Sequence, residues 1–102
     1  MTTKYYAELK AKSGAKITVI LNSDSTWNCD SPAAFGGIST GHISSWGTGN
    51  AILQLDGPYF NITLNNFGLH TAINDHGEGT KTTNNRGKFP DGELYWTCIY
   101  IE

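Results

Sequence analysis

Charge is scarce in this chain. Seven Lys and Arg and nine Asp and Glu make up 16% of 102 residues and leave a net charge of −2, against the roughly 25% charged residues of an average domain. Without a basic cluster there are few cations to displace counterions from a phosphate backbone, which argues against nucleic acid and, for the same reason, against anionic lipid as an electrostatic target. The one local grouping of cations, Lys4, Lys10, Lys12 and Lys16, falls mostly at even spacing, as on the solvated face of a strand. Long apolar runs are missing too. No stretch reaches the roughly 20 residues of a membrane-spanning helix. The opening Met1-Thr2-Thr3-Lys4-Tyr5-Tyr6 has no apolar segment of signal-peptide length, so the expected location is the cytoplasm, or the chain is the mature form of a secreted protein. Cysteine is limited to Cys29 and Cys98. One disulfide between them would close a long loop and stabilise by about 2–4 kcal/mol, but without a secretion signal the reduced state is expected, with Cys98 packed as a small apolar residue. Those two thiols with His42, His70 and His76 do not have the number or spacing of a zinc site, and neither a metal nor a cofactor is expected.

What is plentiful is Gly, Ser, Thr and Asn, which together supply 40 of the 102 residues. Hydrophobic residues follow a period of two, and no dozen residues hold a helical period. Tyr5, Ala7, Leu9 and Ala11 share one face of a first strand. Ser13-Gly14 reads as a turn, and Ile17, Val19 and Leu21 align on a second strand, giving a hairpin with one wet side. Residues 23–49 are irregular, with a short strand expected near Ile38 to Trp46. Asn50 to Asp56 and Tyr59 to Asn65 read as two more strands around Asp56-Gly57-Pro58. Leu69, Thr71 and Ile73 continue the alternation after Asn65-Asn66-Phe67-Gly68. Asn74 to Gly92 reads as a long polar loop, and Glu93 to Glu102 as a closing strand. There Leu94, Trp96, Cys98 and Tyr100 alternate with Tyr95, Thr97, Ile99 and Ile101, an apolar pattern on both faces that suits a central strand or one covered by a second copy. The expected architecture is one all-β domain over residues 1–102, a small antiparallel β-sandwich or barrel of about seven strands.

No Gly-x-Ser-x-Gly elbow, phosphate-cradling glycine loop or two-histidine zinc motif is present. Asp75-His76 with Glu78 places two acids and an imidazole within four residues, a set that could serve hydrolysis of a polysaccharide if the groups converged. The simpler reading is a polar loop turned by Gly77 and Gly79. Asp75, Glu78 and Asp91 are too few oxygens in no recognised spacing for calcium, and Lys81, Arg86 and Lys88 in the same segment oppose a cation. A saccharide fits the composition better, because its hydroxyls need hydrogen-bonding side chains and its C–H faces need a flat aromatic ring. The candidate residues are His42 and Trp46 in the first irregular segment and Asp75, His76, Asn84, Asn85 and Arg86 in the second. Trp46 would stack on the sugar, and the others would bond its hydroxyls. Asn74 adds to the polar set, and Trp96 is expected in the core.

The segment from Tyr5 to Asn22, a strand, a Ser-Gly turn and a second strand, followed by Trp27, resembles the start of several small, signal-less fungal fruiting-body lectins and related cytolysins. The likeness covers about a fifth of the chain and carries no ligand residue across. It implies a β-rich protein that binds glycans or membrane lipids, often as a dimer and with a role in defence. The expected function is therefore that of a lectin without catalysis, a homodimer recognising a mono- or disaccharide, or a glycoconjugate, between the two long loops, which must then lie at the same end of the sheet. The alternatives are a cytolysin-like protein that meets a membrane or glycolipid surface through Tyr5, Tyr6, Trp27 and Tyr59, and an enzyme acting on polysaccharide.

Overall fold

The computed structural model describes residues 4–46, 52–82 and 87–102. These form eight antiparallel strands: β1 (Lys4–Ala11), β2 (Lys16–Asn22), β3 (Thr26–Cys29), β4 (Thr40–Ser45), β5 (Ile52–Asp56), β6 (Asn61–Asn65), β7 (His76–Thr82) and β8 (Gly92–Ile101), with a single 3-10 turn at Pro32–Phe35 between β3 and β4. Each strand pairs with its sequence neighbours and β8 returns to β1, so the sheet closes as an up-and-down barrel. Closure leaves no free sheet edge. Because direction alternates, residues 23–25, 66–75, Trp46, the start of β1 and the end of β8 share one end, and residues 12–15, 30–39, 57–60 and 87–91 share the other.

Period-two burial explains the barrel directly. Tyr5, Ala7, Leu9 and Ala11 of β1 and Ile17, Val19 and Leu21 of β2 are all buried, while the residues between them face water or are half-buried. The β1–β2 turn closes through Gly14 at φ 98°, with the Gly14 N–H donating to the Ala11 carbonyl at 2.9 Å. A barrel of eight strands is just wide enough for side chains to fill it or for one small ligand. Here large aromatic residues fill it. Trp27, Trp96, Phe35, Phe60, Phe67 and Phe89 are all at most 3% exposed, with Phe35 stacked on Phe60 at 4.6 Å and Phe67 edge-on to Trp96 at 4.7 Å.

The two buried tryptophans are seated in the same way. Trp27 lies opposite Gly41 in the β3–β4 ladder, and its Nε1–H crosses β4 to donate to the Asp56 carbonyl on β5 at 3.0 Å. Trp96 lies opposite Gly77 in the β7–β8 ladder, and its Nε1–H crosses β7 to the Asn65 carbonyl on β6 at 3.0 Å. A Cβ on Gly41 would stand 2.6 Å from the Trp27 Nε1, and one on Gly77 would stand 2.7 Å from the Trp96 Nε1. Those glycines are there because the indoles need the space above them, an arrangement in which an aromatic covers a strand glycine.

Three sequence expectations change. The segment Asn74 to Gly92 is not one loop: its first part is β7, whose inward positions are Gly77, Gly79 and Lys81. Lys81 is a buried lysine, its Nζ 2.6 Å from Asp91 Oδ1 and 5.7 Å from the Phe60 ring centroid. Leu69, Thr71 and Ile73 form no strand. Asn66 and Asn74, at φ 64° and 74°, turn the chain there, as Asn tolerates, and Gly68 N–H donates to Thr71 Oγ1 at 2.9 Å, leaving Leu69 and Ile73 on the surface. In β8 the register against β1 shifts between Tyr6–Tyr100 and Ala7–Cys98. The bulge at Ile99 reverses the alternation, so Tyr100 faces out and Ile101 packs on the core, rather than Tyr100 facing in with Cys98.

Candidate functional site

The residues expected to form one site are dispersed. Trp46, just after β4, is half-buried against the core and meets Tyr5 edge-on at 5.5 Å, 71° between planes. Its buried Nε1 has no hydrogen-bond partner among the described residues. Asp75 closes the turn into β7: its Oδ2 accepts from the Ala72 N–H at 2.8 Å, and its own carbonyl accepts from the Cys98 N–H at 2.8 Å. His76 opens β7 on the outside, opposite Thr97, with Nδ1 3.5 Å from the Asn74 carbonyl. His42 is exposed in the outer wall, opposite Thr26 and Asp56. Asn84, Asn85 and Arg86 lie outside the described residues. The flanking Thr82 and Gly87 belong to the end of the barrel opposite Trp46 and Asp75. Tyr5 and Trp27, expected at a bilayer interface, are buried at 6% and 0% exposure.

What the sheet does bring together is a set of side chains on the outer wall of β6, β7 and β8. Alternation in β7 turns Glu78 and Thr80 outward because Gly77, Gly79 and Lys81 face in. The β7–β8 register sets Glu78 opposite Tyr95 and Thr80 opposite Glu93. Asn65 at the end of β6 and Lys12 from the β1–β2 turn complete a shallow concavity of about 250 Å³. The Tyr95 ring is 46% exposed and gives this hollow an aromatic surface. Lys12 Nζ bonds the Glu93 carboxylate. That hydrogen bond and charge hold the Glu93 carboxyl below the usual carboxylate range, and the same contact raises the Lys12 ammonium above its own. At neutral pH the hollow thus presents an ionised acceptor at Glu93 and a charged donor at Lys12, beside a second carboxylate side chain (Glu78), a hydroxyl and an amide. A general acid for glycosidic cleavage needs a raised pKa, the opposite of what Lys12 does to Glu93.

The neighbouring wall across β3 to β6 is equally polar. Asp56 Oδ1 accepts from Gln54 Nε2 at 3.0 Å and from Asn61 Nδ2 at 3.1 Å, with His42 opposite Asp56. Sequence reading missed Glu78, Thr80, Glu93 and Tyr95 as a group because two glycines and a lysine occupy the inward positions that would mark β7 as a strand. The signal that could find them is the polar residue at every second position from His76 to Thr82.

Among the described residues no group of three or more His, Cys, Asp or Glu could hold a metal ion, and no helix is long and apolar enough to cross a membrane. Cys29 and Cys98 are free and buried, and burial pushes both thiols up from their ordinary value. No family model, curated protein or solved structure matches the chain.

Proposed function

We propose that this protein is a lectin without catalytic activity that takes a mono- or disaccharide on the outer wall of its barrel. The observation that carries the reading is the hollow on β6–β8, where the exposed Tyr95 ring stands beside Glu78, Thr80, Glu93 and Lys12. An aromatic face meets the C–H side of a pyranose, and fixed donors and acceptors meet its hydroxyls. A volume of about 250 Å³ lies just below the roughly 300 Å³ at which small-molecule clefts begin, which suits one ring and its substituents. Glu78, Thr80, Glu93 and Tyr95 stand on strands, where side chains are held more firmly than on loops, so these four lose little freedom on binding. The filled interior leaves the surface as the place for a ligand.

The test is a glycan array followed by titration of the best sugar against ¹⁵N-labelled protein. Saturable shifts of the Glu78, Thr80, Glu93 and Tyr95 amides are expected, and Tyr95→Ala should weaken binding at least tenfold. Retention of no glycan, or shifts confined to another surface, overturns the reading.

Dimerisation belongs to the same proposal, since two copies raise weak single-site affinity through avidity. Support comes from an exposed apolar strip near the chain termini: Tyr100, Ile99 and Ile73, all more than 40% exposed, with Tyr6 edge-on to Tyr100 at 5.3 Å. Sedimentation equilibrium should report a dimer that Tyr100→Asp dissociates. The same strip is the surface by which a glycolipid membrane would be met, and leakage of dye from liposomes would favour the cytolysin alternative over a lectin.

A further inference from the structure

We infer a second binding site, for a small amphipathic anion such as an alkyl or aryl carboxylate, at the end of the barrel away from the termini. A pocket of about 290 Å³ opens there between the β1–β2 turn, the 3-10 turn and residues 87–89. Its floor is apolar: Ile17, Ala34 and Phe89 are buried and Ala15 is packed against the core. Its rim carries the exposed Lys16 and Lys88, and no carboxylate lines it.

The frame is built by backbone bonds. The Lys88 N–H donates to the Ala33 carbonyl and the Phe89 N–H to the Ala34 carbonyl, both at 3.1 Å, and the Ala34 N–H donates to the Ser31 carbonyl at 2.9 Å. Gly87 allows the approach, since a Cβ there would stand 2.1 Å from the Ala34 carbonyl oxygen. The pocket is therefore set before a ligand arrives.

The charge around it points to the sign of the ligand. Lys16 lies directly opposite Lys10 in the β1–β2 ladder, and like charges so placed repel. Neither they nor Lys88 belongs to an ion pair among the described residues, where the pairs are Lys12–Glu93 and Lys81–Asp91. Of the carboxylates on this part of the wall, Asp30 Oδ1 accepts from the Thr18 N–H at 3.1 Å, and Glu8 stands opposite Thr18 on the same outer face as Lys10 and Lys16 without an ion pair to either among the described residues. A chain with a net charge of −2 thus places two cations, Lys16 and Lys88, on the rim of an apolar hole, with Lys10 across the ladder from Lys16. An ammonium rim over an apolar floor recognises a ligand with an anionic head and an apolar stem, and Ser31 is a polar residue of the same lining. The pocket is separate from the saccharide hollow and stands or falls independently of it.

The test is titration of ¹⁵N-labelled full-length chain with octanoate, hexanoate, octanol and octylamine below their aggregation limits. Octanoate should give saturable shifts at Ala15, Lys16, Ala34, Lys88 and Phe89. Hexanoate should bind more weakly, by up to about fourfold per methylene removed, and octanol at least tenfold more weakly than octanoate. Octylamine should not bind there. The double variant Lys16→Glu/Lys88→Glu should lose octanoate binding while keeping a dispersed native spectrum. Ala33→Phe, at an exposed position of the same rim, should block the pocket with both lysines intact. Octanol binding as tightly as octanoate, the double variant keeping its affinity, or shifts mapping to Ile73, Ile99 and Tyr100 would each overturn the inference.

Discussion

Replacing Gly77 by alanine tests the architecture that holds the hollow on β6–β8. In an ordinary strand this change helps by about 0.5–1 kcal/mol, because alanine restricts the unfolded chain. Here the new Cβ would stand 2.7 Å from Trp96 Nε1 and 2.8 Å from its Cε2 and Cζ2, and the indole is 2% exposed and closely packed. The ring has to move. Overpacking of a tight core costs roughly 1–3 kcal/mol. Displacing the Nε1–H from the Asn65 carbonyl leaves a buried donor unsatisfied, at roughly 1–3 kcal/mol more. The sum less the gain is about 1–5.5 kcal/mol, against the roughly 5–15 kcal/mol that such a domain has. Urea unfolding of both forms, followed by far-UV circular dichroism at constant slope, measures it. In a Trp96→Phe background the atoms that meet the methyl are gone, so the same substitution should cost less than about 1 kcal/mol, a coupling typical of residues in contact. A cost below about 0.5 kcal/mol in the wild-type background, or an equal cost in both, refutes the reasoning.

Other outcomes follow from the same geometry. Asp75→Ala removes an acceptor from the Ala72 N–H and should lower stability by about 0.5–1.5 kcal/mol while leaving glycan retention unchanged, which an array with the variant checks. The Lys12–Glu93 pair has a defined pH window. Glu93 sits below its ordinary value in the folded state, so its contribution is present above the unfolded carboxyl pKa and fades as pH falls through the folded one. Lys12 sits above its ordinary value, so its contribution is present below the unfolded ammonium pKa and fades as pH rises through the folded one. The pair's own contribution to binding should therefore be flat between about pH 5 and 9, and Glu93→Gln should weaken the acid limb of the binding profile, read by titration at several pH values. Phe35→Ala should cost about 3–5 kcal/mol, measured by thermal unfolding, because Phe35 joins Trp27, Phe60 and Phe89 in one aromatic cluster.

The class of fold was legible from one end of the chain to the other because strand alternation places apolar residues at every second position, and β1, β2, β5 and β6 show it plainly. It failed at β7, where the interior is already occupied by Trp96 and Leu94. The strand facing them must carry glycine at 77 and 79, and glycine in a polar segment reads as a loop. It failed again at Ile99, since one bulged residue reverses every later side chain, and at residues 69–73, where left-handed asparagines turn an alternating sequence into surface turns. The candidate residues were grouped for a related reason: Asn74 to Gly92 reads as one loop, but β7 runs through it, so Asp75 before the strand and Thr82 at its end stand at opposite ends of the barrel.

That parity also decides where recognition can take place. With eight strands the connections fall alternately at two ends, and aromatic residues close both: Phe35, Phe60 and Phe89 at one, Tyr5, Trp46 and Phe67 at the other. The surplus of threonine and asparagine in the composition is then only partly a matter of turns. On β6 and β7 it forms the outer wall itself, where Asn61 stands opposite Thr82 and Thr63 opposite Thr80, and the wall leads to Glu78, Glu93 and Tyr95. A closed sheet needs no charged edge to prevent strand pairing, and this frees its outer positions for neutral hydrogen-bonding groups. Low charge and abundant hydroxyl and amide side chains would suit the hydroxylated ligand proposed for this wall, and Tyr95, 46% exposed, adds an aromatic ring beside them.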